Sequence, residues 1–301
     1  RRSRGKWYVS YLQQTQLPNV SGLTDTGEDV KQARAALIGN HTQYLTDTLL
    51  LRANANLVTD PNYFQQLSNS GILRASPSSE SNLLVTQRLP YGNLYLLGLY
   101  LQPLQAGGKD TFQRLPEAGY SLPNVSLFNS PVLLGMEGNY VNFYRDQGFT
   151  LNRINVVPSI STDVLHLGHV IGIRPQAKFR EVYYTRGAQS DEGQHRETFW
   201  LGVDATSKVT RRFALADGNS LLHTLEPTVT YEYVPSTDQS KLTQIDQVDD
   251  LPKKNLLTYM LRSRVLESGK TNAFNWLDLT LAQSYHVGDV QTLAREFTPE
   301  V

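Results

Sequence analysis

Basic side chains recur on one side of several predicted strands, and they have the clearest potential chemistry in this chain. Arg174, Lys178 and Arg180 alternate with apolar residues along one stretch. Such groups can donate charge-assisted hydrogen bonds to phosphate or sugar oxygens. They could equally pair with acids on neighbouring strands, so that their role is only to keep that side of the sheet polar and hydrated. The basic candidates are Arg174, Lys178, Arg180, Lys208, Arg212, Arg262 and Arg264, and the acids are Asp204, Glu226, Glu232 and Asp278.

Two other groupings contain metal-ligating residue types without a metal-site pattern. His166 and His169 are three positions apart, which on a strand puts them on opposite sides, and no carboxylate motif accompanies them. Asp246, Asp249 and Asp250 lack the glycine-centred pattern of a calcium loop, so we interpret them as a solvated acidic loop. The sequence therefore predicts no metal site and no cofactor.

Residue patterns typical of enzymes are also missing from the sequence. There is no Ser/His/Asp signature and no phosphate-cradling glycine loop, and the chain contains no cysteine. We therefore predict that the protein is not an enzyme.

The basic residues lie on predicted strands, and the pattern is fullest from Leu221 to Val234. Alternate positions are mostly apolar or aromatic on one side and mostly threonine or glutamate on the other, which predicts a strand with one apolar and one polar side. This strand is about twice the roughly 5–6 residues of a soluble strand and is long enough to cross a bilayer at a tilt. Pro235 ends it because proline lacks a backbone donor, and a long polar loop follows over 235–254.

The same alternation predicts about thirteen strands, more than a single open soluble sheet usually contains. The two-residue connection Thr46-Asp47 predicts an antiparallel hairpin. Most connections are alternately long and short, as in outer-membrane barrels, although those at 146–148 and 159–169 break the rule. The predicted strands span 6–16, 31–45, 47–59, 81–89, 93–103, 118–127, 132–145, 150–158, 170–184, 196–213, 221–234, 255–267 and 273–287.

The apolar side of these strands is predicted to contact lipid. Phe179 and Leu201 belong to that side. The charged residues on it, Glu181, Glu197 and Arg211, fall near strand ends, where a charge costs about 0–1 kcal/mol rather than the roughly 2–4 kcal/mol of the bilayer centre. A soluble sandwich would also have one apolar and one polar side, so it remains an alternative.

Composition excludes several classes of protein. With 301 residues, a formal net charge of zero and 19% charged residues, the chain is neither a nucleic-acid binder by charge nor a disordered tail. No run of 18 or more apolar residues occurs, which excludes a transmembrane helix. The mean hydropathy of −0.37 fits a barrel, because only alternate residues of a barrel strand face lipid. The chain opens on Arg1-Arg2-Ser3-Arg4 without a methionine, so we expect a segment of a longer protein.

Three short motifs follow one another around the long predicted strand: Thr-Leu-Glu-Pro (224–227), Tyr-x-Tyr-Val-Pro (231–235) and Asp-Gln-Ser (238–240). With Asp-Pro-Asn-Tyr-Phe at 60–64 and the later strand pair, they resemble the barrel of the lipopolysaccharide (LPS) assembly outer-membrane protein family LptD, also called the organic solvent tolerance family. The motif residues are Asp60, Pro61, Tyr63, Phe64, Glu226, Pro227, Tyr231, Tyr233, Pro235, Asp238, Gln239 and Ser240.

The resemblance implies an all-β fold, a large antiparallel transmembrane β-barrel in the Gram-negative outer membrane. Residues 1–301 would form part of this single domain, without the family's N-terminal periplasmic jellyroll and the closing strands. The Gly-x-Asp-Arg-Ile-type segment that many members carry after the Asp-Gln-Ser loop is missing, so details of that loop are not carried over.

The resemblance also implies a function and partners. The family passes LPS through the barrel lumen and releases it through a lateral gate into the outer leaflet. Implied partners are LPS, the plug lipoprotein LptE, the periplasmic bridge protein LptA and outer-membrane lipid, with no nucleic acid. The seven basic residues then become candidate lumen contacts to LPS or to the plug.

Two other functions stay open at this point. A general porin or ligand-gated outer-membrane channel for small solutes shares the alternation but does not explain the Leu-Glu-Pro and Asp-Gln-Ser motifs. A soluble β-rich binding module predicts a chain that dissolves without detergent.

Overall fold

A computed structural model describes residues 3–13, 33–68, 71–104, 110–168, 170–216, 218–269 and 273–288. Within them the fold is almost entirely antiparallel β-sheet, with two short helices, α1 (Tyr63–Leu67) and α2 (Gly71–Ala75). The strands are β1 (Ser3–Gln13), β2 (Ala33–Tyr44), β3 (Leu49–Val58), β4 (Ser78–Leu89), β5 (Gly92–Pro103), β6 (Gln113–Ser126), β7 (Val132–Tyr144), β8 (Leu151–Thr162), β9 (Leu165–Leu167), β10 (Ile171–Tyr184), β11 (Gln194–Ser207), β12 (Val209–Ala214), β13 (Ser220–Val234), β14 (Lys254–Ser268) and β15 (Ala273–His286).

The 15 strands are paired largely in the order of the sequence. The order is β1-β2-β3-β4-β5-β6-β7-β8-β10-β11-β13-β14-β15, with β9 paired to β10 and β12 paired to β13. Short connections between sequence neighbours favour this arrangement, because a tight turn can only return the chain antiparallel. The prediction of an all-β antiparallel fold is confirmed, and each predicted strand has a counterpart.

The structure also corrects details of the strand prediction. The stretch predicted as one strand over 196–213 is interrupted at Lys208 and forms β11 and β12. Both pair with β13, Thr206 opposite Thr228 and Val209 opposite Leu225, so the register continues across the break. The predicted strand ends at 14–16 and 31–32 lie outside the described residues.

The connection predicted over 60–80 contains α1 and α2, which the sequence analysis did not predict. The Asp60 side chain accepts a hydrogen bond from the Asn62 backbone N–H at 2.9 Å, and the Asp60 carbonyl accepts one from the Tyr63 N–H at 3.0 Å. These bonds turn the chain into α1. Each helix is only five residues long, too short to show a helical period in the sequence.

The chain forms two compact units. The first consists of Arg1–Leu122, Glu137–Asn155 and Tyr183–Gln194, and the second of Pro123–Met136, Val156–Val182 and His195–Val301. In the first unit, α1 packs on β2 and β3, and the buried cluster comprises Ala36, Val58, Tyr63, Phe64 and Leu104, with Ile38 packed against it.

A buried ion pair fixes the start of α1 within the first unit. The Nε atom of Arg34 in β2 lies 2.7 Å from Oδ2 of Asp60, and both side chains are nearly inaccessible to solvent. Tyr63 is hydrogen-bonded through its hydroxyl to Ser10 of β1. The motif residues Asp60, Tyr63 and Phe64 therefore hold α1 against the sheet.

The longest hairpin belongs to the second unit. β13 and β14 pair without interruption from Ser220 opposite Ser268 to Val234 opposite Lys254. β14 pairs with β15 with a register shift between Val265 and Leu266. Neither helix among the described residues has the length and hydropathy to cross a membrane.

Candidate functional site

The second unit's sheet has two chemically different sides, because side chains alternate along each strand. Asp204 faces Thr230 across β11 and β13, and Glu226 faces Arg262 across β13 and β14. We call this side, carried by the even-numbered residues of β10, β11, β13 and β14, the polar face.

Asp204 joins three strands of the polar face. Its Oδ2 accepts a hydrogen bond from the Gln176 amide of β10 at 3.1 Å, and its Oδ1 accepts one from the Thr230 hydroxyl of β13 at 2.9 Å. Both carboxylate oxygens are therefore engaged by neutral donors. Asp204, predicted as a possible partner of the basic residues, serves here as a cross-strand acceptor.

Three of the basic candidates are paired with acids on neighbouring strands. Arg264 donates to Glu226 at 2.8 Å, and the Lys208 ammonium lies 3.5 Å from the same carboxylate oxygen. Arg262 makes a bidentate contact with Asp278 through hydrogen bonds of 2.8 and 2.6 Å. For Arg262 and Arg264 the pairing interpretation applies, whereas Lys208 is 62% exposed at its side chain and can also reach a ligand. The pairs are partly exposed, so solvent screens them and their effect on stability is small.

Lys178 contacts an aromatic ring instead of an acid. Its ammonium lies 5.1 Å from the centre of the Trp200 ring, within the range of a cation–π interaction. The Trp200 indole N–H in turn donates to Glu232 at 3.1 Å, and the Lys254 ammonium lies 3.9 Å from that carboxylate. The Lys178 side chain remains exposed and keeps its donors available to a ligand.

Arg174 lines a cavity on the polar face. The cavity has a volume of about 310 Å³ and is bordered by Val164, Gly172, Arg174, Asp204, Thr206 and Thr228. A guanidinium beside two threonine hydroxyls offers hydrogen-bond donors to phosphate or sugar oxygens. Arg180 follows on the same side of β10 and is partly buried, whereas Arg212 of β12 is exposed.

The loop over 235–253 is anchored by Arg196, which the sequence analysis did not single out. This arginine of β11 is only 3% exposed. It donates to the Gln239 side-chain oxygen and the Asp249 carbonyl at 2.7 Å each, and to the Val248 carbonyl at 2.8 Å. Because Arg196 is even-numbered like Asp204, these contacts place the loop on the polar side of β11.

Side chains of the Asp-Gln-Ser motif take part in four further hydrogen bonds that shape this loop. Besides accepting from Arg196, Gln239 donates to the Leu251 carbonyl at 2.8 Å and accepts from the Leu251 N–H at 3.2 Å. Asp238 accepts from the Ser240 N–H at 3.0 Å and from its hydroxyl at 2.7 Å. These Ser240 donors lower the pKa of Asp238 below its ordinary value.

The prediction of a solvated acidic loop is wrong for Asp249. It is fully buried, and its carboxylate accepts backbone hydrogen bonds from Ile245 at 2.8 Å and Asp246 at 2.9 Å. Its role is to order the loop, and Asp250 next to it is exposed. Of the two histidines considered, His166 lies in β9, and His169 lies outside the described residues.

The other motif residues lie on or at the end of β13. Tyr231 donates from its hydroxyl to Asn255 at 2.8 Å, and the Tyr233 ring lies 6.1 Å from the Phe199 ring. Pro227 is opposite Leu261 in β14. These three residues belong to the side opposite the polar face. The motif residues therefore lie on both sides of β13 and in the loop that follows it.

That opposite side, which we call the apolar face, exposes large hydrophobic side chains on adjacent strands. Leu261 stands between Pro227 of β13 and Leu281 of β15, and Val203 of β11 stands opposite Tyr231. Exposed members are Phe199, Leu201, Val203, Val229, Tyr231, Tyr259, Leu261, Leu279 and Leu281. An apolar area of this extent marks a surface for lipid or for another protein.

The fold and the two faces together define a class: an antiparallel all-β protein whose long strands separate an exposed apolar face from a face rich in charged and polar side chains. Sequence comparison assigns the family. A profile of LPS transport system D, LptD, matches residues 32–300, and the chain belongs to this family.

Two curated relatives carry the same family name. The chain is 26% identical over 262 residues to the LPS-assembly protein LptD of Nitrosospira multiformis, covering 76% of this chain and 27% of the relative. It is 26% identical over 202 residues to the LPS-assembly protein LptD of Methylococcus capsulatus, covering 65% of this chain and 19% of the relative. The chain thus spans about a quarter or less of the length of these relatives.

Proposed function

We propose that this chain is part of an outer-membrane translocon that inserts LPS into the outer leaflet. The family match over 32–300 carries the proposal, because it includes nearly the whole chain and both relatives are named LPS-assembly proteins. The protein makes or breaks no bond in this proposal; it conducts a glycolipid from one side of a membrane to its outer surface.

The apolar face supports a location in the outer membrane. Its leucine, valine and tyrosine side chains are exposed along adjacent strands, where water would not solvate them well. In membrane β-barrels, outward-facing residues form such an apolar band while the inward side is polar. We therefore propose that residues 1–301 are part of a single outer-membrane β-barrel domain.

The polar face supports a path for a phosphorylated glycolipid. Lys178 is exposed beside Trp200, and Arg174 lines the cavity together with threonine hydroxyls. Lys208 also remains well exposed despite its contact with Glu226. We propose that these side chains contact LPS in the lumen. Arg262 and Arg264, which are held by Asp278 and Glu226, serve mainly to order the strands.

Family membership also supports the finer parts of the proposal. We propose that LPS arrives from the periplasmic bridge protein LptA, that the lipoprotein LptE plugs the lumen, and that the lipid leaves through a lateral gate into the outer leaflet. Glu226 on β13 and the motif residues in the loop over 235–253 are proposed to shape the polar side where the sugars emerge.

Crosslinking in living cells tests the function directly. A photo-crosslinker is placed at position 178 of the full-length protein, and the same variant in cells in which LPS transport is stopped is the control. Adducts with LPS during active transport are expected at 178. Adducts with the plug protein alone would mean that this part of the polar face holds the plug and does not guide LPS.

Two further measurements separate the proposal from the other functions. Depletion of the full-length protein is expected to lower LPS at the cell surface, and unchanged surface LPS would contradict the proposal. The purified, plug-bound protein is expected to require detergent and to conduct ions poorly. Porin-like conductance would favour a small-solute channel, and solubility without detergent would favour a soluble β-rich binding module.

A further inference from the structure

Three potential metal ligands meet where β10 and β11 run side by side. They are Glu181 near the end of β10 and His195 and Glu197 near the start of β11. His195 and Glu197 are two positions apart on one strand, so their side chains point to the same side of the sheet. That side also carries Phe199 and Leu201 and is the apolar face.

The ligand atoms of the three residues are close enough to approach one cation. His195 Nδ1 lies 3.5 Å from a carboxylate oxygen of Glu181 and 3.9 Å from one of Glu197. One ligand atom from each residue lies within 4.8 Å of the others. Nitrogen and oxygen ligands bound tetrahedrally at about 2.0–2.2 Å are separated by about 3.3–3.6 Å. The His195–Glu181 distance already falls in this range, and the other two separations would need to close by about 1 Å or less, which side-chain rotation can supply.

The charges around these residues also favour a cation. Two carboxylates converge on one imidazole, and within the part of the chain that the structure describes, the ion pairs of Glu181 and Glu197 are both with His195. A neutral imidazole leaves two negative charges beside an apolar surface. A divalent cation would neutralise both carboxylates and use the imidazole as a nitrogen ligand.

We infer that Glu181, His195 and Glu197 form a divalent-cation site that joins β10 to β11 at the margin of the apolar face. One imidazole and two carboxylates suit Zn²⁺ or Mn²⁺, whereas Mg²⁺ and Ca²⁺ prefer oxygen ligands alone. His195 and Glu197 are 66% and 62% exposed at their side chains, so the remaining coordination positions are open to water or to an external anion. The site requires no LPS and no partner.

Binding of Mn²⁺ to the purified, metal-free full-length protein in detergent tests this site. Titration calorimetry of the wild type is compared with that of His195→Asn and, separately, Glu181→Gln. Each substitution is expected to weaken one Mn²⁺ binding event at least tenfold. Electron spin echo spectra of bound Mn²⁺ are expected to show coupling to a nitrogen that disappears in His195→Asn.

His223→Asn is the matched control, because His223 also lies on a strand but contacts the Ser263 hydroxyl, at 3.0 Å. It is expected to bind Mn²⁺ like the wild type. Heat-modifiability on gels confirms that each variant is folded. Equal Mn²⁺ affinity in the wild type, His195→Asn and Glu181→Gln would overturn the inference, as would nitrogen coupling that survives in His195→Asn; the three residues would then form His–Glu ion pairs only.

Discussion

Arg196 donates three hydrogen bonds to the loop over 235–253 from one buried guanidinium. A hydrogen bond to a charged group contributes about 1.5–3 kcal/mol. We therefore expect Arg196→Gln to destabilise the ordered loop by at least that amount. Protection of the loop amides from hydrogen exchange would then fall about tenfold or more. Hydrogen–deuterium exchange of loop amides in the full-length protein measures this effect.

Arg212→Gln is the control for that experiment, since Arg212 is an exposed arginine of β12. It is expected to leave exchange in the loop unchanged. If Arg196→Gln also left exchange over 239–251 unchanged, the loop would be held by other contacts, and the anchoring role of Arg196 would be wrong.

Asp238 gives the same loop a dependence on pH. The Ser240 N–H and hydroxyl lower the pKa of Asp238 from its ordinary value of 3.8. A carboxyl group with a lowered folded-state pKa stabilises the fold above the unfolded-state pKa, and the contribution is lost as the pH falls through the folded value. Exchange of the Ser240 amide is therefore expected to gain a component that rises as the pH falls below about 4.

Asp238→Asn tests this titration, because asparagine keeps an accepting oxygen but has no carboxyl group. After correction for the intrinsic pH dependence of exchange, the acid component is expected in the wild type and not in the variant. The same acid component in both proteins would assign the titration to another group.

At the scale of the element, β11 and Lys208, the residue that follows it, provide a matched test of the two faces. Leu201 lies on the apolar face and Lys208 on the polar side just past the end of the strand. A mid-bilayer arginine on the lipid side costs about 2–4 kcal/mol, so Leu201→Arg is expected to impair assembly of the full-length protein. Lys208→Gln removes only an exposed ion pair with Glu226 and is expected to assemble normally.

Assembly is measured as the heat-modifiable fraction in the outer membrane. Equal yields of the two variants would mean that the face assignment is wrong. An assembly defect in Lys208→Gln alone would mean that the polar and apolar faces have been assigned the wrong way round.

Strands were predictable from the sequence because alternation has a period of two residues and the strands are long. Leu221–Val234 shows this well, since the observed β13 begins only one residue earlier. The break at Lys208 left no signal, because the alternation and the register both continue across it. The assignment of apolar and polar sides needs only this period and therefore also follows from the sequence.

Contacts between distant residues could not be predicted in the same way. Arg196 and Asp249 are far apart in the sequence, with more than a hairpin between them. No pattern in the neighbouring residues distinguishes a buried arginine from a solvated one. Asp249 looked like part of an acidic run, yet its carboxylate accepts hydrogen bonds from loop backbone and is fully buried. The ion pair between Arg34 and Asp60 escaped prediction for the same reason.

At the scale of the whole molecule, the formal net charge is zero, but the basic residues of the polar face differ in their partners. On the polar face, Arg262 and Arg264 are held by acids, whereas Lys178 is stacked on Trp200 and Arg174 lines a cavity. The structure thus divides the basic candidates into those that order strands and those that can still accept an anionic ligand. Transport of a phosphorylated glycolipid would depend on the second group.

Joint replacement of Arg174, Lys178 and Arg180 by glutamine is the test at this scale. Each charge-assisted hydrogen bond to phosphate contributes about 1.5–3 kcal/mol when desolvated, but water and salt in a wet lumen reduce it. We therefore expect single changes to have little effect and the triple variant to slow the appearance of LPS at the cell surface several-fold. The variant is expected to stay folded and plugged, because glutamine keeps a polar side chain at each position.

Arg262→Gln/Arg264→Gln provides the contrasting variant, since these two arginines are already paired with Asp278 and Glu226. It is expected to lower thermal stability slightly and to leave the transport rate unchanged. Surface LPS is followed over time after induction of each variant in cells depleted of the wild type. A triple variant that transports at the wild-type rate, or a double variant that is slower than the triple, would show that Arg174, Lys178 and Arg180 do not guide the glycolipid.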